Sequence, residues 1–315
     1  MRHSILLRYA APQPLVSALA RDYHLLGPLT EMAPTVLPEG SSQARVMVTK
    51  GGLPIDKTLL DQLPALEFIQ CYGTGYDLID LQEAAVRGIR IANAGDANAP
   101  AVAEFATAMM LSGVRNLAGY DQLVRSGQWS DANRGALPLS LGLAGRRIGI
   151  YGLGAIGSRV AQHAEALAME VGYTGRRERP DSPYHWCDNI EALATWADVL
   201  MITVRAGASN RHAINRRVLQ ALGPTGYLVN VSRGYVVDEE ALVDALAHDE
   251  LAGAGLDVFE HEPWVPEALR NDARVLMTPH VAPHTEFAQQ RMRNRTLTNV
   301  RAFFEGQSLE CEITR

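Results

Sequence analysis

The run Tyr151-Gly152-Leu153-Gly154-Ala155-Ile156-Gly157 lies between an apolar stretch, Arg147 to Tyr151, and a segment whose apolar residues Ile156, Val160, Ala164 and Leu167 repeat at helical spacing. A second apolar stretch, Met169 to Tyr173, follows, so the whole reads as strand, tight turn, helix, strand. Gly152 permits the sharp exit from the strand, Gly154 lets backbone N–H groups approach an anion, and Gly157 lets the helix pack close to the sheet. The helix N-terminus then points at that anion. Glycines at this spacing occur in many loops. The flanking strands and helix turn this one into an expected site for a dinucleotide's pyrophosphate, with Gly152, Gly154, Ala155, Ile156 and Gly157 as the contacting residues.

The end of the second strand decides which dinucleotide fits. An acid there would accept hydrogen bonds from the ribose hydroxyls and repel a 2′-phosphate. The chain instead reads Gly172-Tyr173-Thr174-Gly175-Arg176-Arg177, with no acid before Glu178. A hydroxyl and two guanidinium forks suit a phosphate, so Thr174, Arg176 and Arg177 predict NADP(H) in preference to NAD(H), which stays possible. The competing reading of the Arg pair, a solvated turn, stays open.

A chain of 315 residues exceeds what one core usually fills, and two domains are expected. With 47% hydrophobic and 20% charged residues it reads as globular, and no apolar run is long enough to span a bilayer. The start, Ser4 to Leu7, reads as a first strand because Arg8, Pro12, Gln13 and Pro14 interrupt any secretory-type apolar core. Cys71, Cys187 and Cys311 are odd in number and far apart, which predicts no disulfide framework, no metal site and a reducing, cytoplasmic setting. A net charge of −6 argues against a broad nucleic-acid surface. Further apolar runs at Arg45–Thr49, Glu67–Tyr72, Ile89–Ala92, Val199–Val204, Tyr227–Val231, Gly255–Val258 and Val275–Met277 alternate with helical or turn-rich segments, an α/β rhythm. A helical pattern from Pro100 to Gly119 is expected to cross between domains. Another, Thr285 to Phe304, offers Phe287, Met292, Leu297, Val300 and Phe304 as apolar contacts. If that last helix packs on the N-terminal domain, residues 1–98 and 285–315 form one discontinuous domain and 99–284 the dinucleotide-binding one. The expected fold is α/β, with two Rossmann-like or flavodoxin-like domains of parallel sheet and an active site in the interdomain cleft.

Three more runs carry chemistry: Asn230-Val231-Ser232-Arg233-Gly234, Gly255-Leu256-Asp257-Val258-Phe259-Glu260-His261-Glu262-Pro263, and Thr278-Pro279-His280-Val281-Ala282-Pro283. With the Gly-rich loop they resemble the D-2-hydroxyacid dehydrogenase family, over nearly the whole chain and in the family's motif order. Within it the chain looks most like the glyoxylate/hydroxypyruvate reductases, on Arg176-Arg177 and on Arg125-Ser126-Gly127-Gln128-Trp129. The resemblance implies that Arg233 binds the 2-oxo acid group and that His280 protonates the carbonyl oxygen as hydride arrives. Glu262 would orient the His280 ring and favour its imidazolium. It also implies that Gly73-Thr74-Gly75-Tyr76-Asp77 holds the substrate carboxylate on backbone N–H groups. Val204, Ser232, Arg233, Asp257 and His280 would border the cofactor, and Val102-Ala103-Glu104 the nicotinamide. Asp257 competes as a strand-end cap, the Gly73 loop as an ordinary turn, and Glu104 as a structural residue. A homodimer joined through the nucleotide domain and the segment around Trp129 follows from the same resemblance. The trio also stands on chemistry alone. Hydride addition to a ketone leaves an alkoxide, so the site needs a cation for the acid group, a proton donor, and a partner that keeps the donor charged.

Some residues depart from the family pattern. Pro283-His284 stands where small residues are usual, and Arg205-Ala206-Gly207 replaces a Pro-Leu-Thr type segment, which bears on cofactor contacts and substrate size but not on the trio. His284 matches no catalytic position and reads as a cleft or hinge residue. Formate dehydrogenases carry Gln in place of Glu262, phosphite dehydrogenases carry Lys in place of Thr74, and phosphoglycerate dehydrogenases usually append regulatory domains. A cofactor-sensing corepressor on the same scaffold is the alternative from another class, and it predicts binding without turnover.

Overall fold

The computed structural model describes residues 2–32, 34 and 36–313. The chain divides into two compact units, Met1–Asn98 with Thr285–Arg315, and Ala99–His284. In the first unit, β1 (Ser4–Leu7), β2 (His24–Leu26), β3 (Val46–Thr49), β4 (Phe68–Cys71) and β5 (Arg90–Ala92) form an all-parallel sheet in the order β2-β1-β3-β4-β5. Successive side chains of a strand point to opposite faces, so both faces must be apolar when helices cover both. On one face Ile5, Leu7, Val46, Val48 and Phe68 pack against α1 (Gln13–Leu19) and the C-terminal helix Glu286–Phe304, through Leu15, Leu19, Met292, Val300 and Phe303. On the other face Leu6, Met47 and Ile69 pack against α2 (Lys57–Asp61) and α3 (Leu81–Val86), through Leu59, Leu60 and Ala84. Each such aliphatic side chain contributes about 1.5–3 kcal/mol when fully buried.

The second unit opens with α4 (Ala99–Val114) and α5 (Leu117–Arg125). Its sheet follows: β6 (Arg147–Tyr151), α6 (Ala155–Ala166), β7 (Glu170–Thr174), β8 (His185–Trp186), α7 (Ile190–Trp196), β9 (Val199–Ile202), α8 (Arg216–Leu222), β10 (Tyr227–Asn230), α9 (Glu239–Ala247), β11 (Gly253–Leu256), α10 (Glu267–Asn271) and β12 (Val275–Met277). The seven strands run parallel in the order β12-β11-β10-β9-β6-β7-β8. From β6 the chain builds outward to β7 and β8, then returns to place β9 on the other side of β6. That reversal opens a crevice at the carboxyl ends of β6 and β9, where ligands of such sheets bind.

Several expectations need adjustment. The pattern from 100 to 119 is two helices, because Asn116 takes a left-handed conformation (φ 48°) and stops α4 after Val114. α4 lies within the second unit from its first residue, packing Val102, Ala106, Met109 and Met110 onto the sheet and α6. β11 begins at Gly253, two residues ahead of the expected Gly255. A methyl group at 253 would lie 2.5 Å from the Arg274 carbonyl oxygen, so close strand packing requires the glycine there. Phe287 is 55% exposed rather than packed, with the Arg291 guanidinium over its ring. The edge strands β2 and β8 are too short to announce themselves by alternation.

Candidate active site

The Gly-rich turn follows β6. Gly152 has φ +100°, and a methyl group there would lie 2.6 Å from the Val204 Cα, so the chain leaving β9 presses directly on it. A methyl at 157 would lie 2.3 Å from the Gly152 carbonyl oxygen, which is the close helix contact expected of that position. Gly154 differs, because nothing lies within 4 Å of where its methyl would be. It is also the N-cap of α6 and supplies no side-chain cap, so the first-turn N–H groups at Ala155, Ile156 and Gly157 face that open space. Steric demand thus accounts for two glycines, and room above the helix start accounts for the third. The arrangement fits a pyrophosphate.

The turn after β7 is held by the Tyr173 hydroxyl, which accepts the Arg179 N–H at 2.8 Å. Thr174 is 2% exposed and acts through its carbonyl, which accepts the Gly152 N–H at 2.9 Å. Arg176 and Arg177 reach solvent on this turn, as do Glu178 and Arg179 after them. After β9, the Asn210 side chain closes the loop onto itself, accepting the Gly207 N–H and donating to the Arg205 carbonyl, both at 2.9 Å.

The remaining site residues leave the carboxyl ends of β10, β11 and β12, three neighbours in the sheet. After β10, the Asn230 side chain accepts the Ser232 N–H at 3.0 Å and donates to the Arg233 carbonyl at 2.9 Å, which fixes the turn carrying Arg233. The Arg233 guanidinium donates to the Ser232 carbonyl at 2.8 Å. The next residue explains why this turn meets the following one. A methyl group on Gly234 would lie 1.8 Å from the Phe259 carbonyl carbon and 2.2 Å from the Glu260 nitrogen, so the peptide leading to Glu262 rests on the bare glycine.

Glu262 folds back to accept the Phe259 N–H at 3.2 Å and meets His280 Nδ1 at 2.9 and 3.1 Å. Partial burial works against its charge, but the hydrogen bond and charge of His280, the Phe259 N–H and the nearby Arg233 charge together hold its carboxyl below the ordinary value. An ionised carboxylate only accepts, so the proton of this pair sits on Nδ1 and His280 presents Nε2 for other chemistry. His280 itself has φ 54°, an uncommon conformation for a residue with a side chain. The strand-end residue Asp257 enforces it. Its carboxylate takes the Thr278 hydroxyl at 2.6 Å, the Val281 N–H at 2.9 Å and the Ala282 N–H at 3.0 Å, and its carbonyl takes the His280 N–H at 2.8 Å. Asp257 is 1% exposed, so the cap that competed with a cofactor contact is what its carboxylate is seen to do.

In the first unit, the Gly73-Thr74-Gly75 loop follows β4. The Asn93 amide donates to the Thr74 carbonyl at 2.7 Å, and the Thr74 hydroxyl meets Asn98 Oδ1 at 2.8 Å. Nothing lies within 4 Å of where a methyl on Gly73 would be, so the loop is rigid yet open at that residue. Arg233, Glu262 and His280 are therefore brought together within the second unit, while the glycine loop is a feature of the first. Sequence reasoning missed Asn230 as the brace of the Arg233 turn. It also missed Glu239, whose Oε1 accepts the Glu260 N–H at 2.7 Å. Neither role has a spacing signature.

The family model for the D-isomer specific 2-hydroxyacid dehydrogenase NAD-binding domain matches residues 107–282, a span that holds the Gly-rich turn and the whole trio. The chain belongs to the D-2-hydroxyacid dehydrogenase family. A glyoxylate/hydroxypyruvate reductase of Arabidopsis thaliana is 38% identical over 280 residues, covering 89% of this chain and 86% of that protein. A 2-ketogluconate reductase of Gluconobacter oxydans is 38% identical over 265 residues, covering 84% of each. Among solved structures, the NADPH-dependent glyoxylate/hydroxypyruvate reductase of Sinorhizobium meliloti, in complex with NADP and malonate, superposes with a TM-score of 0.93 at 34% identity, covering 100% of this chain and 97% of that one. As a D-2-hydroxyacid dehydrogenase the chain is an NAD(P)-dependent oxidoreductase. No helix among the described residues is long and apolar enough to cross a membrane, and no group of His, Cys, Asp and Glu among them could hold a metal ion.

Proposed function

We propose that this D-2-hydroxyacid dehydrogenase reduces a small 2-oxo acid of the glyoxylate or hydroxypyruvate type to the D-2-hydroxy acid, with NADPH as the preferred reductant. The observation that carries the reading is the Glu262–His280 hydrogen bond of 2.9 Å, with the Arg233 charge acting on the same carboxylate. A dihydronicotinamide, when bound, supplies the hydride. Arg233 holds the acid group and polarises the carbonyl through its planar fork. His280, with Nδ1 committed to Glu262, delivers the proton to the carbonyl oxygen from Nε2, so no free alkoxide accumulates. Glu262 keeps its charge throughout and stabilises the imidazolium that precedes the transfer.

Roles divide by unit. Residues 1–98 and 285–315 supply the substrate-carboxylate loop at Gly73, Thr74 and Gly75, and residues 99–284 supply the cofactor site. The preference for NADPH rests on the exposed Arg176 and Arg177 and on the NADPH dependence of the Sinorhizobium meliloti relative. Asp257 serves the cofactor side by building the turn on which His280 sits. We read the protein as a cytoplasmic homodimer. Three free cysteines and the exposed Leu117, Val124, Trp129 and Leu139, the last 98% exposed, support that reading.

A panel of 2-oxo acids assayed with both NADPH and NADH tests it. Sustained NADPH oxidation with glyoxylate or hydroxypyruvate is the expected result. Tight cofactor binding without turnover on any acid in the panel would instead place the protein among sensors that share the scaffold.

A further inference from the structure

The loop that carries Glu262 is pinned by a residue that no step of the proposed chemistry uses. Glu260 pairs with Arg211 and His212, and its side chain is 9% exposed. Its Oε1 accepts hydrogen bonds from the Arg211 guanidinium and from His212 Nε2, the latter at 2.8 Å. Its backbone N–H is held from behind by Glu239 Oε1 at 2.7 Å. All three anchors belong to the segments flanking the Arg233 turn. The His212 N–H donates to the Tyr235 carbonyl at 2.8 Å and the Ile214 N–H to the Val236 carbonyl at 3.0 Å, while Glu239 opens α9 just beyond. Glu260 is therefore a strut between two turns, one ending in Arg233 and the other, two residues on, in Glu262.

We propose that Glu260, through Arg211 and His212, is a positioning residue that keeps the Glu262 carboxylate seated on His280 Nδ1 in register with Arg233. The inference rests on the reading of His280 as proton donor but makes a structural claim that can be judged without it. Glu262 makes no covalent commitment to its place. What fixes it is a short loop whose Phe259–Glu260 peptide lies on Gly234, and a peptide lying on a glycine can slide unless something holds its far side. Glu260 supplies that hold. The charged and titratable groups facing Glu260 and Glu239 are Arg211, His212, His261 and Glu262, so truncating the Glu260 side chain also leaves Arg211 and His212 without their shared acceptor.

The test compares full-length wild type with Glu260→Ala, Glu260→Gln and Arg211→Ala by two measures. One is the low-field proton NMR signal of the His280 Nδ1–H, identified by its loss in His280→Asn. The other is steady-state reduction of glyoxylate by NADPH. In Glu260→Ala the signal should broaden or vanish and kcat should fall about 10- to 100-fold, with the KM for glyoxylate little changed. Glu260→Gln, which keeps an acceptor for His212, should restore most of both. Arg211→Ala, altering only a half-exposed side chain, should fall between wild type and Glu260→Ala. An unchanged signal in Glu260→Ala overturns the proposal, as does a loss of kcat that Glu260→Gln fails to recover. If Glu260→Ala does not fold, wild-type behaviour of Arg211→Ala overturns it. Absence of turnover in the wild type would sink the proposed reaction while leaving the NMR comparison to decide the strut.

Discussion

Arg233, Arg176 and Glu239 carry charge to three different ends. Arg233 presents a planar fork beside the Glu262–His280 pair, and Arg233→Ala should lower kcat/KM about 10³-fold, with Arg233→Lys recovering little because an ammonium cannot bind two oxygens in one plane. Arg176 stands exposed on the turn after β7, and its loss should mainly raise the KM for NADPH, about tenfold, and leave the KM for NADH alone. Unchanged NADPH affinity would remove the phosphate contact. Glu239 is a different case, because burial first and the neighbouring Glu260 charge push its carboxyl above the ordinary value of 4.5, despite the Glu260 N–H. Ionising it therefore costs folding stability, nothing below the ordinary value and progressively more as pH rises through the shifted one. Glu239→Gln keeps an acceptor for the Glu260 N–H, and its Tm should match wild type near pH 4, exceed it by a growing margin as pH rises above 4.5, and hold a constant margin once the Glu239 carboxyl is ionised. A gap independent of pH would contradict that account. At this scale the sequence announces the residues that do chemistry, because an arginine, a glutamate and a histidine each stand in a recognisable run. It is silent on those that hold them. Asn230 braces its own turn, Glu239 holds a backbone N–H of another, and Glu260 holds side chains of a third, and which turns meet is decided only by the order of the strands.

Among elements, the turn joining β6 to α6 separates two uses of glycine that look identical in the sequence. Gly157→Ala would drive a methyl group into the Gly152 carbonyl and should lower Tm, since overpacking costs about 1–3 kcal/mol. Gly154→Ala meets open space and should leave Tm unchanged while weakening the cofactor's binding, measured by nucleotide fluorescence titration. Unchanged cofactor affinity in Gly154→Ala would mean that the space above α6 is not where the phosphates lie. The strands were legible because parallel strands covered on both faces are apolar throughout, as Val46–Thr49 and Val199–Ile202 are. Legibility failed where an element's ends depend on tertiary contact. β11 is one such place, because Gly253 serves strand packing. Asn116 is another, because one left-handed residue breaks an otherwise continuous helical period.

At the level of the whole molecule, Leu117, Val124, Trp129, Leu139 and Leu141 are all exposed, and the proposed dimer would cover them. Light scattering on the purified protein should return about twice the 34.3 kDa chain mass, and Trp129→Ser with Leu139→Ser should shift it toward one. A single-chain mass for the wild type would remove the dimer. The discontinuity of the first unit has a different kind of outcome. Ile5, Leu7, Val46 and Phe68 are made early, but the helix that covers them, Glu286–Phe304, is made last. At ribosomal speeds of about 5–20 residues per second, the nascent sheet waits on the order of ten seconds or more with that greasy face covered only by α1 while the second unit is synthesised. That interval is when the N-terminal half is most open to wrong association, and a stop codon a few residues before that helix should leave a protein that aggregates.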